Sequence, residues 1–197
     1  MHDLDDLTRA EALLRQELDA QNVDGIMSAA AELDRLEPPP KRASIVGAAL
    51  WYAARGLPVF PIQPGSKKPY LGSHGLDDGT TGPDAVRAMF ADRPGCNLAI
   101  ATGHRVDVID FDGPDSHAEW GRKYPTWDAA GIDVLGIVST PRPGGLHVYV
   151  AATGAGNYAG MLPGVDYRGR GGYVVVPPSV TAAGSYHWLR PLAEVAR

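Results

Sequence analysis

The sequence predicts an α+β domain built on a mixed or antiparallel sheet flanked by helices. Three observations carry this. Helix-like and strand-like segments alternate at first, and strand-like segments then run consecutively, a pattern that suits α+β better than a doubly wound parallel sheet. The strand candidates are short, apolar and β-branched, and glycine and proline clusters separate them. Two of them, 97–102 and 106–111, are joined by a few residues around Gly103, a connection that favours antiparallel pairing.

The elements follow in order. Residues 1–37 read as an acidic helical hairpin. Leu4, Leu7, Leu14 and Leu18 recur at helical spacing, as do Ile26, Ala30, Leu33 and Leu36, with a break at 22–25. It reads either as a packing appendage or as a working surface. Pro38, Pro39 and Pro40 stop it and open a stiff linker over 38–43. The main domain covers 44–197. Its first helix is expected over 44–55, N-capped by Ser44 and closed by Gly56. A strand at 59–62, a basic loop at 64–69 and an irregular glycine-rich stretch at 70–82 come next. A helix over 83–91 has Pro83 in its first turn. After the two strands around Gly103, a helix is expected over 115–123, then strands at 135–140, 146–151, 173–176 and 186–189. Pro141 to Gly145 forms a turn between the first two of these.

Composition excludes several classes. With 44% apolar and 21% charged residues, the 197-residue chain is an ordinary globular protein. No run approaches the ~20 apolar residues that span a bilayer, so no membrane partner is expected. The acidic start does not resemble a basic, then apolar, export signal, and a cytoplasmic protein is expected. One cysteine, Cys96, allows neither an internal disulfide nor a multi-cysteine zinc site, so no zinc is expected. The net charge is −5, but residues 1–37 hold 10 acids and 3 bases, a net of −7, which leaves +2 for the remainder. The overall acidity is therefore weak evidence against a polyanionic partner.

Four segments can carry chemistry. Val106-Asp107-Val108-Ile109-Asp110-Phe111-Asp112 reads as a buried strand ending in two carboxylates on one side, their Cα atoms about 6.5 Å apart. The pair is either a site for divalent cations or an Asx-turn at a strand end. In Gly144-Gly145-Leu146-His147-Val148-Tyr149-Val150, Leu146, Val148 and Val150 share the core face, while His147 and Tyr149 share the other. Two glycines before the histidine would let a phosphate approach the backbone; an exposed histidine in a hairpin is the plainer reading. The stretch 164–173 places Asp166 beside Arg168 and Arg170 in a glycine-rich loop, a phosphate and metal site or a solvated ion pair. Gly65-Ser66-Lys67-Lys68-Pro69 is basic but is not a phosphate-binding P-loop, which is absent throughout and argues against a motor ATPase.

In this order, "PGSKKP", "NLAIATG", "VIDFD", "TPRPGGLHVYV" and "VDYRGRGGYVVVPPS" closely resemble the bifunctional primase–polymerase domain of the archaeo-eukaryotic primase superfamily, found in plasmid and phage replication proteins. The resemblance spans roughly 44–190. It implies a primase-type catalytic core that works as a template-directed DNA polymerase and as a primase. Asp110 and Asp112 match the acid-x-acid pair that binds two divalent metals, Mg²⁺ or Mn²⁺. Asp166 matches the acid that completes the metal site. His147 matches the histidine that contacts the incoming triphosphate, and Gly145 belongs to the same motif's turn. Arg168 and Arg170 resemble triphosphate or template contacts, and Lys67 and Lys68 lie in a basic loop typical of the family. The implied partners are DNA template and primer, dNTP or NTP substrates, and a helicase domain or protein. The zinc-binding stem of many relatives cannot be built with one cysteine. Two other readings stand beside this one: a non-catalytic replication module that binds single-stranded DNA or a replication partner, and a glycosyltransferase whose Asp-x-Asp holds a nucleotide sugar. The second leaves His147 and Asp166 unexplained.

Overall fold

The computed structural model describes residues 44–193 and six separate positions before them, 9, 12, 13, 16, 17 and 25. Those six apart, the helical hairpin expected over 1–37 and the linker over 38–43 lie outside the described residues. Helix α1 (Ile45–Ala54) is capped by the Ser44 hydroxyl, which accepts from the Gly47 amide at 3.0 Å. Then come β1 (Val59–Ile62), a 3-10 turn (Gly75–Asp78), α2 (Pro83–Ala91), β2 (Asn97–Ala101) and β3 (Val106–Phe111). Helix α3 (Pro114–Lys123), a second 3-10 turn (Asp128–Ala130), β4 (Val134–Ser139) and β5 (Leu146–Ala151) follow. The chain continues through β6 (Tyr158–Leu162), β7 (Val165–Arg168), β8 (Tyr173–Val175), β9 (Val180–Thr181), β10 (Gly184–Ser185) and β11 (His187–Arg190).

These form an α+β fold with a three-stranded sheet, β1-β2-β8, a six-stranded sheet, β11-β4-β5-β3-β7-β6, and the small β10-β9 pair. Every pairing between these strands is antiparallel, so the mixed sheet allowed by the sequence is not the one built.

The six-stranded sheet has two differently used faces. Ile109, Phe111, Leu146, Val148, Val150 and Val165 pack toward α3 and an aromatic group of Trp120, Tyr124 and Trp127. The alternate residues Val108, Val138 and Tyr149 join a second core with α1, α2 and the three-stranded sheet. The functional candidates sit on this second face. Trp120 is 1% exposed, its ring 5.4 Å from Phe111 and 4.8 Å from Tyr124. Trp120→Ala is expected to lower the unfolding free energy by about 3–5 kcal/mol, read from urea denaturation midpoints.

The hairpin expected around Gly103 does not form. β2 pairs with β1 and β8, while β3 pairs with β5 and β7, and the chain crosses between sheets at this point. The crossing is held by the segment after β7: Thr102 donates from its amide to Gly172 O at 3.0 Å and from its hydroxyl to Gly169 O at 2.7 Å. Both edges of β2 are already paired and all five of its residues are buried, so no edge is left for β3. A second correction concerns 164–173, expected as a loop. Val165–Arg168 is a strand in the six-stranded sheet, lying between β3 and β6. Its glycine-dense flanks hide a short apolar–polar alternation, Val165 and Tyr167 buried and Asp166 and Arg168 on the other face.

Candidate active site

The site is a row across three strands. In β3, Asp110 stands directly opposite His147 of β5 on one side and Asp166 of β7 on the other. Antiparallel register thus brings together three groups that are 19 to 56 residues apart in sequence. Arg168, two residues beyond Asp166, shares its face. Its Nε and one terminal nitrogen donate to Asp110 Oδ2 at 3.2 and 3.0 Å, and the same terminal nitrogen donates to Asp166 Oδ2 at 2.7 Å. Asp166 Oδ1 also accepts from the Gly160 amide at 2.8 Å. Without a cation, two carboxylates on facing strands would repel; the guanidinium removes that cost.

Asp112 departs from expectation. The strand ends at Phe111, and Asp112 continues with its amide bonded to Gly164 O at 2.9 Å. Its side chain is 54% exposed and pairs with Arg142 of the turn before β5, rather than with the Asp110–Arg168–Asp166 group. Among the described residues, no three carboxylate, imidazole or thiol groups stand close enough in this arrangement to enclose one ion.

His147 is buried, its Nε2 3.5 Å from Asp110 Oδ1, so the exposed-histidine reading does not hold. Its Nδ1 is buried without a hydrogen-bond partner. Burial lowers the His147 pKa below the usual 6.5; Asp110 opposes this, and Lys67 and Arg168 add to it. Lys67 is thus near the site, its Nζ 5.9 Å from the centre of the Tyr186 ring. Tyr186 lies 5.8 Å from the His147 ring. Burial raises its hydroxyl pKa, with Asp110 adding and Arg142 opposing. Lys68 and Arg170 are exposed, and among the described residues no carboxylate pairs with either. Gly145 makes a tight turn of another kind: a Cβ there would lie 2.3 Å from the Thr140 hydroxyl, so the close approach is made by the chain itself.

Sequence reading missed Arg142 and Tyr186 as site residues. Arg142 stands inside the block that carries His147, and its proline-glycine turn was the available signal. Tyr186 is brought in by its backbone bond to Ser179 at 3.0 Å and by β11, which starts at the next residue and pairs with β4. Asp107, on the opposite face of β3, is a structural acid. Its Oδ2 accepts from the Thr153 amide at 2.8 Å and from the Tyr167 hydroxyl at 2.5 Å. Burial and that carboxylate push the Tyr167 pKa up to about 12.

His117 of α3 ties the other face to the site. It stacks on Phe111 at 4.6 Å and its Nε2 lies 2.9 Å from Gly144 O. Burial lowers its pKa below 6.5, the hydrogen bond opposing. His117 and His147 therefore stay neutral in the folded protein while the unfolded chain takes up protons near pH 6.5. Their stabilising contribution is complete above that pH and is lost as pH falls below it. Urea midpoints are expected to drop between about pH 7.5 and about pH 5.5, less so in a His117→Gln variant; equal slopes for the two would contradict the assignment.

No curated protein matches the chain. The family model for bifunctional DNA primase/polymerase, N-terminal, matches residues 49–197, which hold both sheets and every residue of the His147–Asp110–Asp166 row. That span is most of the chain, and the protein therefore belongs to the bifunctional DNA primase/polymerase N-terminal family.

Proposed function

We propose that the chain is a divalent-metal-dependent nucleotidyltransferase with an archaeo-eukaryotic primase-type core. It extends DNA primers, and starts new chains, from nucleoside triphosphates in plasmid or phage replication, with a helicase as its partner. One observation carries this reading: His147, Asp110 and Asp166 stand in register on adjacent strands and on one face.

The donor set fits a hard divalent cation. Oxygens of Asp110 and Asp166 converge on a single Arg168 nitrogen at 3.0 and 2.7 Å, a convergence of anionic oxygens on one cationic atom. Asp110 and Asp166 would hold Mg²⁺ or Mn²⁺, and Asp112 would join them once released from Arg142. When bound, such ions lower the pKa of a primer hydroxyl and neutralise triphosphate charge. The chain's own groups supply the rest. His147, fixed by burial and strand pairing before the substrate arrives, presents a donor to a triphosphate, and the exposed loop residue Lys67 adds positive charge. Arg168 and Arg142 add bidentate donors that suit phosphate oxygens. Tyr186 stands beside them, near both His147 and Lys67.

The test is extension of a labelled primer on a single-stranded template with dNTPs and Mn²⁺. Template-directed products are expected; folded protein that adds no nucleotide would reject the reading. A non-catalytic DNA-binding module is the second reading. It is favoured by the fact that all three carboxylates already have arginine partners.

A further inference from the structure

Asp110 and Asp166 share Arg168, and Asp112 is taken by Arg142. Any divalent cation held by these carboxylates competes with the guanidinium groups for the same oxygens. Asp110 Oδ2 receives two donors from Arg168, and Asp166 Oδ2 receives one at 2.7 Å. We propose that Arg168 and Arg142 are exchangeable counterions. They neutralise the carboxylates in the metal-free protein, are displaced when a divalent cation enters, and then turn to the triphosphate that arrives with it.

Three observations support the exchange. Both arginines can move, because their side chains are 28% and 53% exposed and each has a long unbranched stem. Each lies at the end of its element, Arg168 as the last residue of β7 and Arg142 in the turn between β4 and β5. The destination also lies close by. Arg168 is bonded to Asp110, whose other oxygen lies 3.5 Å from His147 Nε2, and Arg142 opposes the upward shift of Tyr186, so both charges stand beside the groups that would meet the triphosphate. A freed guanidinium is a planar fork that matches two phosphate oxygens. The exchange couples the two ligands: metal releases the arginines that hold the nucleotide, and nucleotide keeps them from returning to the carboxylates.

The proposal rests on the metal-dependent reading above, and its test has a readout apart from activity. Mn²⁺ binding is measured without nucleotide, from loss of the free-ion electron paramagnetic resonance signal. Arg168→Gln removes the competitor and is expected to bind Mn²⁺ about fivefold or more tightly than the unaltered protein. In excess Mn²⁺, the same variant is expected to bind dATP about tenfold or more weakly, since it loses charged hydrogen bonds to phosphate. Arg142→Gln shifts both in the same directions by less. Arg87→Gln removes an exposed charge on α2, paired there with Asp84, and is expected to match the unaltered protein in both. A merely structural role for Arg168 would weaken both ligands together, so opposite signs are the signature. If Arg168→Gln does not fold, Arg168→Lys serves, because one amine cannot reproduce the three donor contacts; it is expected to bind Mn²⁺ more tightly than the unaltered protein. Equal or weaker Mn²⁺ binding by the folded variant overturns the exchange and leaves the metal reading standing. No Mn²⁺ binding by the unaltered protein or any variant overturns both.

Discussion

Asp110→Asn is expected to reduce primer extension by about 10²–10³-fold or more while the protein remains folded. Asp110 sits in the middle of the row. It faces His147 and Asp166 across two strand pairings, and its Oδ2 takes two bonds from Arg168. The amide keeps the shape of the carboxylate but not its charge, so the site loses the charge that would hold a cation and balance Arg168. The loss should fall on kcat more than on KM for the nucleotide, because His147, Lys67 and Arg142 would still be there to meet the phosphates as proposed. The fold survives because Arg168 keeps its bond to Asp166 and the backbone pairing of β3 is untouched. Circular dichroism and the urea midpoint check this, and steady-state extension gives the rate. A kcat within tenfold of the unaltered protein would contradict the assignment.

A large expected loss of stability also lies away from the carboxylates, at Gly103. Its φ is +84°, and an added Cβ would lie 2.3 Å from Arg170 Cα and 2.5 Å from Arg170 N. Neither contact can be relieved by turning a side chain, since both are backbone. Gly103→Ala is therefore expected to cost about 3 kcal/mol or more, from left-handed strain and overpacking together. The overlap pushes on the segment that follows β7, the strand that carries Asp166 and Arg168. Activity should fall with stability although residue 103 touches no substrate. Gly95→Ala is the comparison: its φ is +72° and no atom lies within 4 Å of the added Cβ. It carries the strain without the collision and should cost about 1 kcal/mol. Equal urea midpoints for the two variants would contradict the close approach.

Much of this arrangement is legible in the sequence, and the rest fails for identifiable reasons. The β3 run, the His147 strand and the three helices of the main domain are marked by apolar runs and, for the first two helices, by Ser44 and Pro83 at their starts, and their limits agree with the structure to within a residue or so. Asp110, His147 and Asp166 were each readable as chemistry-bearing groups. Their juxtaposition was not, because it depends on which strands become neighbours and in what register. The β2–β3 crossing shows this best. A short connection argued for a hairpin, but the partners of each strand come from distant parts of the chain. β6 and β7 were hidden by Gly160, Gly164 and Gly169, which read as loop. Arg142 was hidden for another reason: its turn marks a place near His147, but a turn residue's side chain follows no periodicity that would aim it at Asp112. The same applies to the choice of Lys67 over Lys68 as the lysine near His147.

The most direct test of the account is the anomalous difference map of a crystal soaked with Mn²⁺ and a dNTP. It should place manganese in contact with both Asp110 and Asp166, with the triphosphate at His147 and Arg168 turned from the carboxylates toward it. Manganese bound elsewhere, or a triphosphate seated away from His147, would contradict it.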